Sequence, residues 1–550
     1  MNTIRAILVI LFLSAVPALQ AQQHEHAATS AQPATLTPGL GRLHHAIATK
    51  SPGAQRFFNQ GLTYIYGFNH DEAIRSFRRA AELDPTSPMP HWGIALALGP
   101  NINLDVDPER EKAAYDEAQR AKKLASRAPA HERAYVDALI TRYSNDPKAD
   151  LKALAVEYKD AMRALMRRYP NDLDAATLYA ESLMDLNPWR LWSQDGKPAA
   201  GTEEIVAVLE GVLRRDRLHI GANHYYIHAV EASKTPHRAL PSARRLDTLV
   251  PAAGHLVHMP AHIYMRTGDY VAAVTSNAKA ANVDRAYIEA AKPEGVYPLM
   301  YYNHNVDFLA SAAMMAGQFA EAKQAADRLV ANATPALAQM PMLEPFAAKT
   351  LYVLLRFARW DDVLKLPPPD AKFPLLTTLS HFGRGIAHAA RGSVTDAESE
   401  RSAYVEARKA VQPDSDWGFN KARNVLEITD AVLDAWIARA RKDDAAAIDA
   451  WRIAVLKEDM LNYDEPPDWF YPTRESLGAA LLRARKFAEA EQAFRGDLTR
   501  NPKNGRSLYG LWQTLLLTRK DSEKQAVAAA EKQFQDAWKH ADVTLRIEDM

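Results

Sequence analysis

The 550-residue sequence has no cysteine, which excludes disulfides, thiolate metal sites, cysteine nucleophiles and lipid attachment through an N-terminal cysteine. It has no net charge either. Lys+Arg and Asp+Glu both number 67, so no chain-wide basic field awaits nucleic acid, and none is expected as a partner. Glycine is scarce at 23, while alanine is dense in stretches such as Ala278–Ala281 and Ala445–Ala447. That balance predicts helices. Long hydrophobic runs are missing as well: the apolar segment Ala6–Val16 is too short to cross a bilayer comfortably, and no later one reaches the required length. There is no Gly-rich phosphate loop, no Gly-x-Ser-x-Gly elbow and no His-Glu-x-x-His, so no nucleotide cofactor and no named hydrolase motif is expected.

What is present begins with an export signal. Arg5 supplies the positive start, Ala6–Val16 the apolar core, and Ala18 and Ala21 two cleavage sites. An uncleaved anchor is the alternative. Residues 1–21 are thus expected to be removed, leaving an exported, periplasmic or otherwise extracytoplasmic chain with no membrane insertion. Residues 22–50, with His24 and His26 and a Ser/Thr/Pro/Ala stretch to Pro38, are expected to form a flexible N-terminal arm. The remaining length is too great for one hydrophobic core and requires several domains or one elongated array.

Internal repeats decide between these. Ala54–Ser87 contains Gly61 and Tyr64, then Ala73, Phe77 and Ala80, then Asp84-Pro85. Small and aromatic residues at those spacings pack two antiparallel helices closely, and the proline ends the unit. This resembles the tetratricopeptide repeat, a helix–turn–helix unit of 34 residues. The frame recurs at Ile220–Ala253, at Gly254–Tyr287 and clearly from Tyr471, with Gly478, Ala490, Phe494 and Asn501-Pro502. Looser copies begin near Met89, Leu173, Asn303, Glu344, Thr378, Glu427 and Gly505. The resemblance implies an all-α solenoid of helical hairpins, a right-handed superhelix of about ten to eleven repeats with inserts. Residues 51–370 form its N-terminal and central array and 371–550 its C-terminal array. Units of this kind bury their apolar faces only by stacking, which leaves a concave groove. The Trp-rich insert from Asn187 is expected to be a lid or a partner surface, and the acidic, aromatic stretch Tyr463–Tyr471 to cap the groove or to pack on the next repeat.

The groove is where the chemistry-bearing residues fall. His224, His228 and Glu231 are spaced i, i+4, i+7, and His255, His258 and His262 are spaced i, i+3, i+7, each set on one helical face. The sets are in register with the repeat, since 224 to 258 and 228 to 262 are both one 34-residue step. After an insertion His304 takes the position equivalent to His255, and Asp307 that of His258. Neighbouring first helices lie roughly 8–10 Å apart, close enough for imidazoles from both to meet one ion. A site of nitrogen and carboxylate ligands without thiolate suits a divalent transition metal such as zinc, copper or iron. The expected ligands are His224, His228, Glu231, His255, His258, His262 and His304, with Glu231 and Asp307 as acid/base candidates. Tyr225, Tyr226, Tyr264, Tyr301 and Tyr302 are candidates for orienting the ligands or lining a substrate pocket. Two other readings stand beside this one: a polar groove that clamps a peptide or protein partner, and histidines that hydrogen-bond along the stack. Glu181 and Asp185, one turn apart, either extend the cluster or form a solvated helix face. The histidine stretches and Tyr463–Leu477 are also similar to those of a broad group of exported bacterial tetratricopeptide proteins, which implies fold and export but no particular chemistry.

Overall fold

The computed structural model describes residues 34–293, 296–519 and 524–550; the export signal, and His24 and His26 with it, lie outside the described residues. The chain is all-α apart from a two-residue antiparallel ribbon pairing Asp416–Trp417 with Asn420–Lys421. Among the described residues twelve helical pairs follow one another, from Pro52–Tyr66 with His70–Leu83 to Gly505–Thr518 with Lys524–Trp538. The pair that the repeat frame does not reveal is Ala130–Ile140 with Leu151–Arg168. Its polar surface and lack of the small-residue positions conceal the repeat. None of the described helices is long and apolar enough to cross a membrane.

The signature residues pack as the spacing predicts. A Cβ on Gly61 would stand 2.6 Å from the ring of Phe77, and a Cβ on Gly93, in the next first helix, would stand equally close to the same ring. Phe77 is therefore wedged between two consecutive hairpins, fully buried, and neither neighbour tolerates a side chain. Phe494 is held in the same way between Gly478 and Gly510. Each ring thus serves both the internal packing of a hairpin and its stacking on the next.

Part of the expected flexible arm is ordered. Residues 34–50 lie on the array: Leu40, His45 and Ile47 are buried, Ala252 N donates to Gly39 O at 3.1 Å, and His45 Nδ1 bonds Asp174 at 2.8 Å. Apolar and hydrogen-bonding residues spaced through a Ser/Thr/Pro-rich stretch are enough to dock it without regular structure. Asp172 and Asp174 also receive His131, Tyr135, Tyr66 and His219, so this His/Asp group is a network that ties the arm down.

Candidate metal centre

Three first helices build the site. Ile220–Glu231 starts on His219, whose Nδ1 accepts from Ala222 N at 3.1 Å. The next first helix runs as Gly254–His258 and, after a step at Met259, Pro260–Thr267, because Pro260 has no N–H for the ladder. The third, Tyr302–Ala316, follows a single π turn at Tyr297–Tyr301. Ile227, Val230, Leu256 and Ala261 fill the core between hairpins, which leaves the opposite face to the histidines. Close approach from the first hairpin completes the floor. Gly221 lies against the Tyr66 ring, and Phe68 is held at φ 54° with its ring 4.7 Å from that of His224 and 5.4 Å from that of His255.

All six histidines converge in two sets. His224, His228 and His255 bring one ring nitrogen each within 4.8 Å of one another, and so do His258, His262 and His304. Inside the sets His224 Nε2 is 3.2 Å from His255 Nε2, His258 Nε2 is 2.8 Å from His262 Nε2, and His304 Nε2 is 3.2 Å from His258 Nε2. Nitrogens bound tetrahedrally at about 2.0–2.1 Å stand about 3.3 Å apart; the two 3.2 Å spacings match that, and the 2.8 Å spacing is that of a hydrogen bond. The two sets are copies: each takes an i, i+4 pair from one hairpin and a third imidazole from the next.

Hydrogen bonds fix the tautomers. His224 Nδ1 faces the Tyr66 carbonyl at 2.7 Å, which only accepts, so the ring carries its hydrogen on Nδ1 and a bare lone pair on Nε2. Asn277 Nδ2 donates to Ala273 O, which turns Oδ1 toward His258 Nδ1 at 2.6 Å. His228 Nδ1 and His262 Nδ1 donate to the two carboxylate oxygens of Glu231 at 2.7 and 2.5 Å. These four rings therefore carry a hydrogen on Nδ1 and turn Nε2 into the site, where the 2.8 Å contact of His258 with His262 is bridged either by a proton, as N–H···N, or by a cation.

The electrostatics agree. Burial, reinforced by neighbouring imidazoles, holds His224, His255 and His258 well below the usual histidine range. Burial lowers His228 against the pull of Glu231, and takes His304 down to about 3. Burial alone would raise Glu231, but the charge that His262 and His228 carry when protonated, together with their hydrogen bonds, outweighs it and holds the carboxylate far below its ordinary range.

The carboxylates divide. Glu231 joins the cluster: it bonds Nδ1 of His228 and His262 and forms with them a third group whose ligand atoms lie within 4.8 Å of one another. Asp307 forms an ion pair with Lys349 at 2.6 Å and stands outside both nitrogen sets. Glu181 and Asp185 are neither solvated nor in the cluster: they are buried beside Arg142, which bonds Asp185 at 2.7 Å. Of the five tyrosines, Tyr301 alone lines the adjoining cavity, while Tyr226 and Tyr264 bond Glu210 and Asp247.

That cavity has a volume of about 400 Å³ and is floored by His228, His255, His262 and His304. Residues far along the chain roof it: Asp416–Phe419 and Asp464–Asp468. Tyr463, which no spacing in the sequence singles out, reaches down to donate to Glu231 Oε2 at 3.2 Å. The Trp-rich insert joins the wall, with the Trp189 ring 5.4 Å from His228 and 4.8 Å from Phe419. The insert and the acidic loop meet where Gln194 donates to Leu461 O.

A tetratricopeptide-repeat family profile matches residues 54–87. Among curated proteins no sequence matches the chain. Of solved structures, yeast Tom70 aligns at 11% identity over 90% of this chain and 93% of that one, with a TM-score of 0.27. Naa15/Naa10 bound to HypK-THB aligns at 10%, over 89% and 94%, with 0.25, and the APC/C hetero-tetramer Cut9-Hcn1 at 11%, over 90% and 97%, with 0.26. Scores of this size show no superposition of the arrays as wholes. Residues 54–87 thus carry a tetratricopeptide repeat, and with its glycine–phenylalanine wedge recurring near the other end of the array the fold is an all-α tetratricopeptide-type helical repeat.

Proposed function

We propose that the six histidines hold two divalent transition-metal ions, one in each three-histidine set, and that the chain is a metal-dependent enzyme built on an exported repeat scaffold. The observation that carries this is the convergence of six imidazoles in two sets, each with three ring nitrogens within 4.8 Å of one another. The His258 and His262 nitrogens at 2.8 Å need a proton or a cation between them, and the surrounding imidazoles supply the ligands a cation would take. Three nitrogen ligands leave coordination positions open toward the cavity, as in catalytic sites, where the metal activates water or polarises a bound oxygen. Glu231 would hold two of the ligands in their metal-binding tautomer, the usual task of a carboxylate behind a ligating histidine.

The repeat scaffold is also consistent with protein–protein interaction. Over the histidine cluster, however, the roof takes the room in which a peptide would lie, and this favours the metal reading for that stretch.

Elemental analysis of protein purified without a chelating tag and exposed in turn to zinc, copper and iron tests the proposal. Two equivalents per chain are expected, falling to about one in His258→Ala/His262→Ala. A protein that stays metal-free at micromolar loading would sink it. Affinity should also resist acid. Ordinary imidazoles, with a pKa of about 6.5, would each be protonated about ten to one at pH 5.5, costing a three-histidine site about a thousandfold in affinity. The folded-state values of His224, His228 and His255 are all lowered, so these rings stay neutral to lower pH than ordinary imidazoles. Chelator competition on the variant that keeps only the first set should show a loss between pH 7.5 and 5.5 well short of that thousandfold.

A further inference from the structure

We infer that the roofed cavity beside the histidines binds a small, largely apolar molecule carrying a hydroxyl group, a phenol or alcohol rather than a carboxylate. Its volume of about 400 Å³ falls within the range of small-molecule sites. Met300, Met340, Met342, Phe346, Phe419 and Phe470 are among the residues that line it, and methionine adapts its shape to varied apolar ligands. Met342 and Phe419 are 52% and 41% exposed, so the apolar lining reaches solvent and gives the ligand a way in.

Unpaired polar atoms mark where such a ligand is held. The Tyr352 hydroxyl and Glu465 Oε2 are buried in residues each 4% exposed, line the cavity, and have no hydrogen-bond partner in the protein. Leaving either unsatisfied is costly, and native structures seldom do so without a purpose. A hydroxyl can donate to the glutamate oxygen and accept from the tyrosine, whereas a carboxylate can only accept.

Charge selects in the same direction. The single cation of the lining, Lys349, is already taken by Asp307 at 2.6 Å and Ser311 at 2.8 Å. Asp464 and Asp468 hydrogen-bond each other, and Asn420 donates to Asp468 at 2.7 Å. An anionic ligand would therefore find no free cation in the lining to pair with.

This inference rests on the metal reading for what becomes of the ligand, but not for its binding, so both metal-loaded and chelator-stripped protein should be tested. The probe pair is 1-naphthol and 1-naphthoate, followed by calorimetry. Naphthol is expected to bind both forms with a Kd below about 1 mM, and naphthoate to bind stripped protein at least tenfold more weakly. Phe346→Trp, which fills the cavity, should weaken naphthol at least tenfold with metal content unchanged; Met342→Trp, at a more exposed position, should do the same if the first variant folds poorly. Naphthoate binding as tightly as naphthol to stripped protein, or filling variants that bind like the parent, would overturn the inference. Loss of metal stoichiometry with naphthol binding intact would count against the metal reading alone.

Discussion

Glu231→Gln should weaken one of the two bound ions by about 10–100-fold and leave the other nearly unchanged. The carboxylate accepts from His228 Nδ1 at its Oε1 and from His262 Nδ1 at its Oε2. An amide of the same shape offers one acceptor and one donor. Whichever ring meets the amide NH2 must accept with Nδ1 and move its hydrogen to Nε2, and that nitrogen then no longer has a lone pair for a metal. His228 belongs to one set and His262 to the other, so a single isosteric change damages a single site. Metal titration should turn from nearly uniform to biphasic, with the weak phase accounting for one equivalent. Glu231→Ala, which strands both Nδ1–H groups, should weaken both. Equal weakening by glutamine at both sites, or a lower melting temperature with unchanged titration, would mean that Glu231 does not act by setting tautomers.

Much of this centre is legible in the sequence because the repeat acts as a ruler. A residue's face on a first helix follows from its spacing, and its neighbours on the next hairpin from a step of 34, so His224, His228, His258 and His262 come together from the sequence alone. His304 joins them once the insertion is allowed for. The partner of each imidazole's second nitrogen is less accessible. Glu231 shares the histidine face, which makes it look like a ligand, but its side chain reaches the near edge of the rings. Asp307 has the right register and the wrong neighbour: Lys349, from the following hairpin, claims it. Phe68 escapes altogether, and Tyr463 is legible only as the start of a capping stretch and not as a partner of Glu231, because a positive-φ turn residue and a loop 232 residues from Glu231 lie outside any periodic pattern. The cap over the groove is foreseeable only as an insert too long for its connection.

The roof over the site depends on a closure between distant hairpins, and there Glu475→Ala should cost about 3–5 kcal/mol. Glu475, on the helix Thr473–Arg483, is an ion-pair partner of Arg356 at the end of Lys349–Arg356, with side chains 0% and 1% exposed. Arg506, on Gly505–Thr518, places its Nε 3.0 Å from the same carboxylate, and Asn504 donates to it at 3.0 Å. Burial, then the charge of Arg356, push the Arg506 guanidinium down to about 10, and Glu475 is the group that opposes them. Removing it leaves two buried cations facing each other, against a whole-protein stability of order 5–15 kcal/mol. Urea unfolding should therefore show a midpoint far below the parent's. Replacing the trio together, as Arg356→Met/Glu475→Leu/Arg506→Leu, should recover most of the loss, because the desolvated charges go with their partner. The same closure holds the cap. Arg356 lies 5.6 Å from the centre of the Tyr471 ring, and Phe470 stacks on Tyr352 at 4.5 Å, both at the end of the loop whose Tyr463 touches Glu231. In Glu475→Ala at urea concentrations below its transition, bound metal should exchange with a chelator faster than in the parent, because the loop that excludes water from the histidines has lost its anchor. Unchanged exchange in a destabilised variant would show that the cap is held by its own packing and not by the buried charges.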